Sequence, residues 1–228
     1  MATSTRDALL DHGALLFASR GLRGVTARDI HLAAGAKNES ALHYHFGGVT
    51  GLLDAILRLH VERVEQRREI LVAELLAGST PPPVRDLLRV MAAPMAEDLG
   101  TAVGRAHLRI VALVESPSQM YEEPFVRAAA RLGASAPAGA RVAAWLRDVV
   151  RPLPPRLRAE RLATLRVMLV GGFGARALLV DETPELLHHA AHRVFVENLL
   201  DVLEAMLNVA PSAHTAASLR EAARRATT

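Results

Sequence analysis

The sequence predicts an all-α protein, and three observations carry that expectation. Apolar residues recur at three- and four-residue intervals through most of the 228 residues, and no stretch alternates as a strand does. Proline and glycine punctuate the series of periodic segments. Composition agrees, since half the residues are apolar but only 4% are aromatic, with alanine, leucine, valine and arginine dominating.

Helix one is expected over 5–20, where Leu9, Leu10, Leu16 and Phe17 share a face and Gly21 stands ready to release the chain. Thr26 followed by Asp29 has the form of a capping box, so helix two should start there and stop at Gly35. Ile30 and Ala33 are its inward candidates, with Leu32 a third. Asn38 is the best cap for a short helix three, which turns Ala41, Leu42 and Phe46 inward before Gly47 and Gly48 break the chain. A long helix follows from Val49 to about Ala77, ending at the run from Gly78 to Pro83.

Beyond Pro83, helices are expected at about 84–99, 102–115, 122–132, 138–150, 156–180 and 184–208, with Pro94 kinking or dividing the first. The tail from Pro211 is rich in alanine, serine and threonine and is expected to be disordered. The resulting division is 1–50, a three-helix domain; 51–210, a helical bundle; and 211–228, a tail.

Composition excludes several classes of function. The chain has no cysteine, so it builds no disulfide framework, zinc knuckle or thiol nucleophile. Asp7 and Asp11 stand where a signal peptide needs a basic region, and no run approaches the roughly 18 consecutive apolar residues of a membrane span. A cytoplasmic location is expected, with no membrane partner and no cofactor. A net charge of +3 does not by itself identify a nucleic-acid binder.

The stretch from Val25 to Gly48 is more specific. Two short helices separated by Ala34-Gly35 make a helix-turn-helix, a device that lays its second helix in the major groove while the first crosses the backbone. With Ala41, Leu42 and Phe46 inward, Lys37, Asn38, Glu39, Ser40, His43 and Tyr44 face outward, and these types hydrogen-bond base edges and phosphates.

Leu16, Phe17 and Gly21, then Val25, Thr26 and Ile30, then Ala34-Gly35, then Leu42 to Phe46 resemble the DNA-binding domain of TetR-family transcriptional regulators in order and nearly in spacing. The resemblance covers about the first 60 residues. It implies an all-helical homodimer that binds double-stranded DNA at a near-palindromic operator, with a divergent C-terminal domain that binds a small-molecule effector. Dimerisation would use the last two long helices, at about 156–180 and 184–208. Carried over by position, Thr26 would contact a phosphate, Arg28 a base, and His43 and Tyr44 the backbone or a thymine methyl. His45 would support helix three or touch a phosphate. Two departures stand out: one extra residue between Gly35 and the His45-Phe46 pair leaves open which of Lys37, Asn38, Glu39 and Ser40 read bases. In addition, Gly48-Val49-Thr50 replaces the family's usual lysine, leaving backbone amides to hold that phosphate.

The same resemblance puts Met91, Met95, His107, Ile110, Tyr121, Phe125, Trp145 and Met168 on helices that surround an effector cavity. Arg105 and Arg109 are candidates to pair with Glu115 or to recognise an acidic group. Gly171 to Gly174 lacks the lysine of a phosphate loop and reads as close helix packing. His188 and His192 have the spacing for a shared metal, but no third ligand is fixed, and exposed or interface histidines are expected instead. The leading expectation is a homodimeric repressor released by an effector. Its alternative is a DNA-binding protein whose C-terminal domain only dimerises or recruits a protein; catalysis by Glu185, His188 and His192 is a third, for which a ligand is missing.

Overall fold

The structure is a computed structural model that describes residues 4–35, 40–78, 82–116, 136–150 and 152–225. Among these, every regular element is a helix. In chain order they are α1 (Thr5–Arg20), α2 (Ala27–Ala34), α3 (Ala41–Phe46), α4 (Val49–Leu76), α5 (Val84–Asp98), α6 (Ala102–Val114), α7 (Pro137–Val149), α8 (Pro155–Glu182), α9 (His189–Asn208) and α10 (Ala213–Arg225). A short 3-10 turn, Pro184–Leu187, joins α8 to α9. The helix expected at 122–132 lies outside the described residues.

Local chemistry explains the N-terminal boundaries. The Ser4 hydroxyl accepts from the Asp7 amide at the start of α1. At the start of α2, Thr26 Oγ1 accepts from the Asp29 amide while the Asp29 carboxylate accepts from the Thr26 amide, a complete capping box. Gly35 ends α2 in the left-handed region at φ 59°, and Gly47 ends α3 there at φ 72°. The described cap of α3 is Ser40, without a side-chain cap bond; Asn38, expected in that role, lies outside the described residues.

Two cores result. The first gathers Leu9, Phe17, Ile30, Leu42, Leu52 and Ile56 from α1 to α4, and adds Ala106, Ile110, Val111 and Val114 of α6. The second gathers α5, α7, α8 and α9 around Leu88, Leu146, Phe173 and Leu203, with Leu108 of α6 among them. Helix α6 thus feeds both cores from opposite faces. The division expected between 50 and 51 cuts through the first core, which needs Leu52 to Leu57 and α6 to close.

The structure changes several expectations. Ile30 is buried, but Leu32 is 73% exposed, Ala33 is exposed, and His31 turns inward in their place. Pro94 sits inside α5 without dividing it. The tail expected to be disordered forms α10 over Ala213–Arg225, although none of its residues is buried. Alanine and arginine are strong helix formers, and the Ser212 hydroxyl accepts from the Thr215 amide at its start. Arg105 and Arg109 pair not with Glu115 but with Asp181 at the end of α8. Glu115 instead takes both arms of Arg166, at 2.9 and 2.7 Å. Helix α8 is long and apolar enough, by length and composition, to cross a membrane. Here it packs on α6 and α9, and its buried Arg161 donates to the Leu207 and Val209 carbonyls at the end of α9.

Candidate functional site

The helix-turn-helix is held by contacts that leave one face free. Leu42 is buried and Ala41 and Phe46 pack partly against the first core, so α3 is anchored from one side. Gly51 fixes the corner with α4, because a Cβ there would lie 1.7 Å from the Phe46 carbonyl oxygen. Thr26, Arg28, Ser40, His43, Tyr44 and His45 are all exposed, with Tyr44 at 83%. The Tyr44 and His45 rings meet edge to face with centroids 5.0 Å apart. Lys37, Asn38 and Glu39 lie outside the described residues.

Electrostatics stiffen the entrance to α2. Arg20, in the last turn of α1, reaches Asp29 at 2.7 Å. The Thr26 hydroxyl and amide, followed by Arg20, hold the Asp29 carboxyl down to about 2. An anionic Asp29 in the first turn also suits the helix dipole. The first turn of α4 has no side-chain cap: Gly48, at φ 117°, precedes it, and its amides are offered at the same end of the domain as α3. Such a helix N-terminus is suited to an anion.

The second candidate site is a cavity of about 380 Å³ between α4, α5, α6, α7 and α8. Met91 and Met95, expected from the sequence, line it together with Val64, Leu146, Leu165 and Leu169. His107 and Ile110 do not: Ile110 is fully buried in the first core. His107 is buried against the His60 ring, centroids 5.4 Å apart, with Arg63 Nη2 3.4 Å from its Nδ1. Burial, then the neighbouring His60 and Arg63, push His107 down to about 3. Trp145 and Met168 pack at the edge of the second core rather than on the cavity wall. Tyr121 and Phe125 lie outside the described residues.

Sequence reasoning missed the polar part of that wall, which includes His60, Arg68, Glu115, Arg147 and Arg166. Arg68 is held by Glu65 at 3.0 Å, and the other Glu65 oxygen accepts from the Ala138 and Gly139 amides. A buried carboxylate thus caps α7 from α4. The signal was a charged pair, Glu65 and Arg68, one turn apart on a helix; its partner amides lie over 70 residues away and left no local trace.

The other motifs resolve structurally. Gly174 admits α6, since a Cβ there would come within 2.6 Å of the Ala112 Cβ, and Gly172 faces Leu199 of α9. His192 points its Nδ1 into a buried setting without a hydrogen-bond partner, beside an open groove between α5 and α9. Among the described residues, no group of three or more histidines or carboxylates is placed to hold a metal.

No family model matches the chain. Over 76 residues, 33% of this chain, it is 42% identical to the HTH-type transcriptional repressor KstR2 of Rhodococcus jostii (strain RHA1), and the match spans 37% of that repressor's length. A crystal structure assigned to a TetR-family transcriptional regulator from Rhodococcus sp. superposes with a TM-score of 0.57 at 21% identity, covering 89% of this chain and all of that one. A second, from Shewanella sp. PV-4, gives 0.55 at 16% identity over 87% of this chain and 96% of its own. The chain has the all-α fold of those regulators.

Proposed function

We propose, from a fold shared with TetR-family transcriptional regulators, that this chain is a homodimeric sequence-specific DNA-binding protein, a repressor released from its operator by a small-molecule effector. The observation that carries DNA binding is the set of exposed polar side chains on α2 and α3, presented by helices whose other faces are anchored in the first core through Ile30 and Leu42. In this reading α3 enters the major groove. Arg28 reaches a base edge, Thr26 and the amides at the start of α4 take phosphates, and His43, Tyr44 and His45 lie along the backbone. Such a protein acts where the DNA is, inside the cell.

Dimerisation is supported by the outer faces of α8 and α9. Val167 and Val194 are each 67% exposed, and Leu178, Leu179 and Val202 are exposed beside them. An apolar surface spread over two adjoining helices suits a second copy of the same surface. The cavity supports an effector over a C-terminal domain that merely recruits a partner, because a ligand-sized apolar space in a filled bundle has a cost in lost packing.

The coupling follows from α6. It contributes to both cores, and its Arg109 donates to the Ala18 carbonyl of α1 at 2.6 Å while pairing with Asp181 of α8. An effector that prefers one setting of α4 and α6 therefore biases the angle of the helix-turn-helix, and operator DNA must weaken effector binding by the same factor.

A gel shift with DNA from upstream of the chain's own gene, against random DNA of equal length, tests the reading. Arg28→Ala should weaken operator binding by about 1–3 kcal/mol and lower discrimination. His43→Ala should weaken both DNAs alike. Equal affinity for operator and random DNA, unchanged by either substitution, would remove the proposal.

A further inference from the structure

The cavity has walls of two chemical kinds, and their arrangement specifies a ligand class. Its body is apolar, formed by Met91, Met95, Leu165 and Leu169. Among the described residues its charged groups are three arginines, Arg68, Arg147 and Arg166, against one carboxylate, Glu115. Two of the arginines are already engaged: Arg68 with Glu65 at 3.0 Å, and Arg166 with both oxygens of Glu115. Among the described residues, no carboxylate stands within ion-pair distance of Arg147. Arg147 is exposed and the Arg166 side chain is 57% exposed, so α7 and α8 bring both to the opening of the cavity.

We propose that the cavity takes an amphipathic monoanion, its apolar body against the methionine and leucine walls and its carboxylate at the rim formed by Arg147 and Arg166. This rests on the effector reading above and adds the chemical class of the effector. A planar guanidinium offers a carboxylate two parallel donors, a match that neither an alcohol nor an ammonium group reproduces. An ammonium head would face three arginines and find the single carboxylate already bonded twice. A head with two negative charges would exceed Arg147, the one cation of the wall without a counter-charge among the described residues.

Three probes with the same apolar tail separate these cases: decanoate, decanol and decyltrimethylammonium, each kept below its aggregation concentration. Trp145, the chain's only tryptophan, lies two residues before Arg147 on α7 and reports occupancy through its fluorescence. The full-length protein should bind decanoate saturably and about tenfold or more tightly than decanol, with decyltrimethylammonium weakest. Arg147→Gln should bring decanoate down to the affinity of decanol and leave decanol unchanged. Ala143→Leu, which narrows the cavity, should weaken decanoate and decanol together. Decanol or the ammonium compound binding as tightly as decanoate would overturn the proposal, as would a carboxylate preference that survives Arg147→Gln. So would binding of none of the three, or binding untouched by Ala143→Leu. The same titrations with operator DNA present keep the two readings apart. Release by decanol alone would leave the effector reading standing and sink the monoanion, whereas selective decanoate binding that leaves operator affinity unchanged would do the reverse.

Discussion

Thr26 is a helix cap and, in the proposed complex with DNA, a phosphate contact as well, and the two are separable by measurement. Its hydroxyl both accepts from the Asp29 amide and bonds the Asp29 carboxylate. Thr26→Ala should cost about 1 kcal/mol of stability through the lost cap, and Thr26→Ser should restore the midpoint in thermal unfolding. Because the folded pKa of Asp29 is depressed to about 2, its contribution is present above the unfolded value of about 3.9 and is lost as pH falls towards 2. His107 acts in a different window. Folded, it stays neutral down to about 3, enclosed by His60 and Arg63 of α4 and by Asp98 at the end of α5. Unfolded, it takes up a proton near 6.5, so stability is full above that value and declines as pH falls from about 6.5 towards 3. Unfolding midpoints measured between about pH 7 and pH 5 should therefore fall less steeply in His107→Gln than in the parent chain. Parallel slopes would show that His107 is not the group responsible.

Helix boundaries in the N-terminal part were legible because each end is written locally, in Thr26 with Asp29, in Gly35, and in Gly47-Gly48. The inward set of α3 was legible for the same reason, as Leu42 and Phe46 share a face on a helix too short to offer alternatives. What was not legible is how α6 is used. Its apolar face reads as cavity lining, but most of it closes the first core, which is why Ile110 and His107 were expected on the wrong surface. Nothing local distinguishes an apolar residue that meets a ligand from one that meets α1. Arg109 is a similar case: its partners, Ala18 and Asp181, lie 91 and 72 residues away, while Glu115 was merely nearer in sequence. Helix α10 was missed because composition suggested a frayed tail, whereas alanine-rich helices need little burial to form their backbone bonds. At this scale Gly51→Ala is the sharpest test. A Cβ that close to the Phe46 carbonyl forces α3 away from α4, so DNA binding should fall at least tenfold, by about 1.4 kcal/mol or more, while Trp145 fluorescence of the bundle stays native. Unchanged DNA affinity would mean that the α3–α4 corner does not set the reading face.

Taken whole, the molecule exposes polar side chains on α2 and α3 and apolar ones on α8 and α9, with α4 and α6 contributing to the cores beneath both. If two copies meet through α8 and α9, their reading faces are related by a two-fold axis, and the DNA they recognise must carry the same symmetry. The reading helices would then enter major grooves about one helical turn apart, on the order of 34 Å, or somewhat more. Hydroxyl-radical footprinting on the upstream fragment tests this most directly, since it reports binding, symmetry and spacing in one experiment. Two protected patches related by a dyad are expected, each flanking a major groove, both lost together in Arg28→Ala. A single unsymmetrical patch, or uniform protection along the fragment, would contradict it.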